Sequence, residues 1–241
     1  MTATWRIATA LAAYAIVLLL GRAATAELGT PPAAVSLGVA VLITLTVAVL
    51  ARKADGRGLR ELGLPSPRAG WPMAVAGLLA WVLPAGAALA IAAALGIRPV
   101  AVATAGALLL VPVSLLNVLA EELVFRGYVI AVLADRARGW TIILGQAAVY
   151  TAFGMALSGW ETVPQLLGVA VGLGYVRMLS GSVWACMGFH LAFQTVTQAF
   201  AGYPLTMVVF GVVPFTVGIV LMERMVRSRS LARYTGSLSS S

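Results

Sequence analysis

The sequence predicts an all-α fold, a polytopic transmembrane helix bundle of about eight spans. Three observations carry this. Of the 241 residues 61% are hydrophobic and only 10% charged, with a mean hydropathy of +0.99, whereas a water-soluble domain carries about a quarter charged residues. Apolar runs of spanning length recur along the whole chain, separated by short breaks rich in Gly and Pro. Arg and Lys fall in alternate breaks, as they do when loops on one side of a membrane face the cytoplasm.

Taken in order, the spans run near Trp5 to Leu20, Ala33 to Leu50, Trp71 to Leu95, Val102 to about Leu133, Trp140 to Leu157, Thr162 to Leu179, Ser182 to Phe200, and Leu205 to Met222. The breaks between them hold Gly29, Pro31 and Pro32, Pro65 and Pro67, Gly139, Gly159, Gly181, and Gly202 with Pro204. The predicted organisation is 1–100 with three spans, 101–202 as a core of four, and 203–241 with the last span and a basic, Ser-rich tail that reads as disordered after Tyr234. No room remains for a separate soluble domain.

With the N-terminus inside, the cytoplasmic segments collect Arg6, then Arg52, Lys53, Arg57, Arg60 and Arg68, then Arg136 and Arg138, then Arg177, and finally Arg224, Arg227, Arg229 and Arg233. The other side receives Arg22 and Arg98 alone. The expected location is therefore the cell membrane, multi-pass, with both termini cytoplasmic. Arg6, the apolar stretch Ile7 to Leu20 and Ala24-Thr25-Ala26 also resemble a cleavable secretory signal, and the charge pattern survives either reading. The net charge of +8 is scattered between apolar runs rather than gathered on one face, so it points to membrane orientation and lipid contact, not to nucleic acid. The single cysteine, Cys186, excludes an intramolecular disulfide and reads as a small buried apolar residue.

Three ionisable residues stand together inside the fourth span: Glu121, Glu122 and Arg126. Each costs about 3 kcal/mol at the bilayer centre, so such residues face the bundle interior and mark a site. Glu122 and Arg126 are spaced i and i+4, which lets carboxylate and guanidinium meet on one helix face. Glu121 points about 100° away and is left without that partner. Ser114 and Asn117 extend its face into a polar stripe. A general base and a purely structural polar network both fit these residue types. In the seventh span, His190, the only histidine, is followed one turn later by Gln194, with Thr197 and Gln198 extending the stripe.

The run Glu121-Glu122-Leu123-Val124-Phe125-Arg126-Gly127 resembles the E-E-x-x-x-R signature of the CPBP (CAAX protease and bacteriocin-processing, or Abi) intramembrane proteases, which include the type II CAAX prenyl endopeptidases. Tyr175-Val176-Arg177, Gly181 to Ala185, and His190-Leu191-Ala192-Phe193-Gln194 resemble the stretch that leads into and includes the family's H-x-x-x-N motif. The resemblance covers roughly Leu108 to Phe200. It implies a bundle of about eight helices with a cavity open to the cytoplasm and to lipid, and an endopeptidase acting on a peptide or protein substrate reached from the cytoplasm or the bilayer. By the same resemblance Glu121 would activate the attacking water, Glu122 and Arg126 would support it, and His190 and Gln194 would stabilise the oxyanion.

Two positions depart from the pattern. The family's F-x-x-x-H motif reads Phe153-Gly154-Met155-Ala156-Leu157, with leucine where histidine belongs, and Gln194 replaces asparagine while keeping the amide donor. Tyr150 shares a helical stripe with Leu157 and is placed to line the cavity without replacing the histidine. The family is often described as metal-dependent. Here the available donors reduce to Glu121, Glu122 and His190, and Glu122 is expected to pair with Arg126, so a water activated by Glu without bound zinc fits the residues better.

The leading reading is an intramembrane endopeptidase weakened by Leu157. The alternative is a catalytically silent scaffold or immunity-type protein of the same family. A transporter would show inverted repeats, which the sequence lacks. Of the sixteen basic residues only Lys53 is lysine, an arginine bias that hints at a bacterial source.

Overall fold

The computed structural model describes the backbone of residues 2–97, 107–200 and 205–238, with side chains for all of these except 107–110 and 229–238. The span start expected at Val102, Arg98, the break at Gly202 and Pro204, and both domain boundaries lie outside the described residues. What is described is a helical bundle. The helices are α1 (Ala3–Leu28), α2 (Pro32–Asp55), α3 (Pro67–Ala94), α4 (Ala107–Glu122), α5 (Ile130–Ala134), α6 (Trp140–Ser158), α7 (Val163–Ser180), α8 (Val183–Ala199) and α9 (Val213–Leu238). A π-helical stretch, Leu123–Val129, joins α4 to α5 as one continuous rod, and a second, Met207–Val212, leads into α9.

The boundaries follow local chemistry. Proline stands in the first turn of α2, α3 and α7, where its missing N–H is no loss. Thr2 caps α1 by accepting from the Trp5 N–H. Gly181 ends α7 in the left-handed region with φ of 66°, as the break there predicts. Helix α1 runs through Ala24-Thr25-Ala26, and α9 continues past Tyr234 to Leu238, where the sequence predicts disorder.

Among the described residues, six helices are long and apolar enough to cross a membrane: Ala3–Leu28, Pro32–Asp55, Pro67–Ala94, Trp140–Ser158, Trp160–Ser180 and Met207–Ser228. Of the other two expected spans, the α4–α5 rod carries Glu121, Glu122 and Arg126 and its expected start lies outside the described residues, while α8 has only 17 residues, about 25 Å against a hydrocarbon core of about 30 Å. Exposed Leu37, Val41, Leu45 and Val49 give α2 a face suited to lipid.

Helices α3 and α8 approach through glycine. A Cβ at Gly188 would strike the carbonyl of Ala74, and one at Gly77 the carbonyl of Ala185. Small residues at such crossings let backbones meet closely, which is how helices associate in lipid. Because neither obstruction is a flexible side chain, Gly188→Ala is expected to cost about 1 to 3 kcal/mol by overpacking. Resistance to unfolding in mixed detergent micelles measures this, and an unchanged transition would refute the tight crossing.

One end of the bundle is tied by charge. Arg6 in α1 pairs with Asp55 at the end of α2 and, at 3.3 Å, with Asp135 just after α5. Arg57 also pairs with Asp135 and donates to the Ala131 carbonyl at 3.0 Å. The hydrogen bond from Arg57 holds the Asp135 carboxyl below the usual carboxylate range. The α2–α3 loop receives α8 at the same end, through Val183 N–H to Gly63 O at 2.8 Å and Trp184 Nε1–H to Pro65 O at 2.9 Å.

Candidate active site within the bundle

The site is built where α4 meets α6 and α8, at the point where α4 passes into its π-helical stretch. Glu122, Arg126 and His190 are buried, while the Glu121 side chain keeps 25% of its surface exposed. The expected pair forms, with Arg126 Nη1 3.2 Å from Glu122 Oε1. The same oxygen accepts a hydrogen bond from His190 Nδ1 at 2.7 Å. Glu122 Oε2 meets no donor among the described residues, so the buried carboxylate is held by one oxygen only.

Glu121 is not left without a partner, as the helix spacing alone suggests. Tyr150 on α6 donates its hydroxyl to Glu121 Oε1 at 2.6 Å, and Arg126 Nη1 and His190 Nδ1 both stand 3.9 Å from that oxygen. The 100° offset separates Glu121 from Glu122 on one helix, but a second helix supplies the missing donor. Arg126 lies over the Tyr150 ring, 4.4 Å from its centroid, so one guanidinium braces both the carboxylates and the tyrosine that serves one of them.

A cavity of about 440 Å³ opens beside Glu121. Asn117, Tyr150, Leu157 and Gln194 share its wall with Glu121, which unites the polar stripe of α4, the position of the family histidine and the amide of α8. His190 is not among the lining residues: its Nδ1 side is committed to Glu122. Tyr14, Leu18 and Arg22 of α1 close one wall.

Residues outside the expected set also shape the site. Arg177, which in the sequence counts as a topology charge and as part of the Tyr175-Val176-Arg177 run, donates from Nε to the Arg126 carbonyl at 3.0 Å and from Nη2 to the Leu62 carbonyl at 3.1 Å, pinning the π-helical stretch to the α2–α3 loop. Phe125 packs edge-on to Tyr150 at 4.9 Å between centroids, and Tyr14 stacks on Phe153 at 5.4 Å. The α4–α5 rod is distorted at the site by the π-helical turn after Glu122, a feature that recurs at functional sites.

The family model described as "Rce1-like: Type II CAAX prenyl endopeptidase Rce1-like" matches residues 103–196. The chain carries an Rce1-like segment. It spans less than half of the 241 residues, yet contains Glu121, Glu122, Arg126, Tyr150, Leu157, Arg177, His190 and Gln194. The matched stretch includes the E-E-x-x-x-R run and is consistent with the resemblance seen there. No curated protein and no solved structure matches the chain.

The metal often ascribed to the family can be tested against this Rce1-like segment. Ligand atoms of Glu121, Glu122 and His190 lie within 4.8 Å of one another. However, Glu122 Oε1 already meets both Arg126 and His190 Nδ1, which leaves only Oε2 of that carboxylate, and the guanidinium stands 3.9 Å from Glu121 as well. A divalent ion there would share its ligands with a buried cation. The donor set fits an internal Arg better than zinc.

Proposed function

We propose that the chain is an intramembrane endopeptidase of the CAAX-protease type, in which Glu121 activates water for attack on a peptide bond. The observation that carries this is the placement of a partly exposed Glu121, held by Tyr150, on the wall of a cavity that Gln194 and Asn117 also line.

Tyr150 occupies one carboxylate lobe at Oε1, and the carboxylate retains acceptor capacity for a water. That water attacks the carbonyl carbon as its proton passes to Glu121, and a C–O bond forms while the carbonyl π pair moves onto oxygen. The Gln194 amide is the cavity donor for the resulting oxyanion. Collapse breaks the C–N bond, and Glu121 returns its proton to the leaving amine. Because Nδ1–H of His190 is engaged by Glu122, a donor role for its Nε2 requires the imidazolium; Glu122 is the counter-ion beside it. Glu122 and Arg126 hold the helix that presents Glu121.

The silent-scaffold reading is favoured by one observation: Leu157 lines the cavity where the family places histidine. The discriminating experiment is cleavage of a peptide library by purified protein in lipid vesicles, read by mass spectrometry, for the native chain and for Leu157→His. The native chain is expected to cleave slowly and the variant about 10- to 100-fold faster, part of the usual gain from one placed acid–base group. Absence of cleavage by both forms refutes the proposal and leaves the scaffold.

A further inference from the structure

The cavity has a direction. Arg6, Asp55, Arg57 and Asp135 interlock at one end of the bundle, and Arg177 and Trp184 bind the α2–α3 loop there. That end therefore holds Arg52, Lys53, Arg60, Arg68, Arg136 and Arg138 as well, since they flank the same helix ends. The cavity lies in the other half. It is lined by Arg22 near the end of α1, Ser158 as the last residue of α6, Leu166 in the first turn of α7 and Gln194 toward the end of α8. Below Glu121, toward the Arg-rich end, Glu122, Phe125, Arg126 and Tyr128 are almost fully buried and close the floor.

Short loops rich in Arg and Lys face the cytoplasm. We infer that Glu121 is reached from the extracytoplasmic face, opposite to the side the family resemblance implies, and that the substrate is an extended peptide segment presented there with an acidic group directed at Arg22. Arg22 is the one cation on the cavity wall, and no carboxylate pairs with it among the described residues. A volume of about 440 Å³ admits a few residues of extended chain and no folded domain. The substrate assignment rests on the peptidase reading, whereas the side of access does not.

Cysteine labelling tests both parts. In a Cys186→Ala background, Ser158→Cys at the mouth, Leu166→Cys on the wall and Arg60→Cys in the Arg-rich loop are treated with a membrane-impermeant sulfonated maleimide, on intact cells and after lysis. Ser158→Cys and Leu166→Cys are expected to label in intact cells, and Arg60→Cys only after lysis. The reverse pattern, or a Leu166→Cys that stays unlabelled in both, overturns the inference. Adding Arg22→Gln to Leu166→Cys is expected to slow a negatively charged thiosulfonate several-fold relative to a positively charged one; an unchanged ratio removes Arg22 as the anion site. Activity is measured separately in Glu121→Gln. If that variant stays active while the labelling follows the expected pattern, the peptidase reading fails and the side of access stands. If it is inactive while the labelling is reversed, only the present inference falls.

Discussion

Glu121→Gln is expected to lower the peptidase rate by about 10²- to 10⁴-fold, the usual worth of a placed general base, while the protein still inserts and folds. The substitution keeps the shape of the side chain and an acceptor for the Tyr150 hydroxyl. What it removes is the group that takes the water's proton. With 25% of the side chain exposed to the cavity, Glu121 is not part of the sealed network beneath it, so its charge is dispensable for packing in a way that Glu122's is not. Comparing cleavage rates with detergent-resistance profiles separates the two cases. A variant that keeps full biological function would end the catalytic role of Glu121, and with it the strongest reason to prefer an enzyme over a scaffold.

Arg126→Ala is expected to produce the largest loss of stability of any single substitution in the cluster, about 3 to 5 kcal/mol. Arg126 and Glu122 are both fully buried, and removal of the guanidinium leaves Glu122 with an uncompensated charge and His190 as its only close donor. The Tyr150 ring loses the cation stacked on it as well. Glu122→Gln combined with Arg126→Ala is expected to recover part of the loss, because the orphaned charge is gone. Unfolding of the single and double variants in mixed micelles measures the coupling. Strict additivity would mean that the ion pair does not hold α4.

Much of this architecture is legible in the sequence because it depends on local patterns. Hydropathy locates the helices, Gly and Pro their ends, and the i, i+4 spacing of Glu122 and Arg126 their ion pair. Tyr150 follows from its stripe with Leu157. The link between His190 and Glu122 does not, since it joins helices 68 positions apart and no local spacing encodes it. The π-helical turn carries no proline to announce it. Arg177 looks like any loop arginine until two backbone carbonyls, at Arg126 and Leu62, are found beneath it. The partner of Glu121 is likewise invisible to spacing along one helix, because Tyr150 reaches it from α6.

The interlocked ions at Arg6, Asp55, Arg57 and Asp135 have a mechanical consequence. They act as the spring of a clothes-peg, joining α1, α2 and the end of α5 and so restraining their relative movement at that end. A bulky chain can then be admitted only by splaying the free jaws, and α1, whose Tyr14, Leu18 and Arg22 form one wall, is the jaw with the fewest buried residues holding it shut.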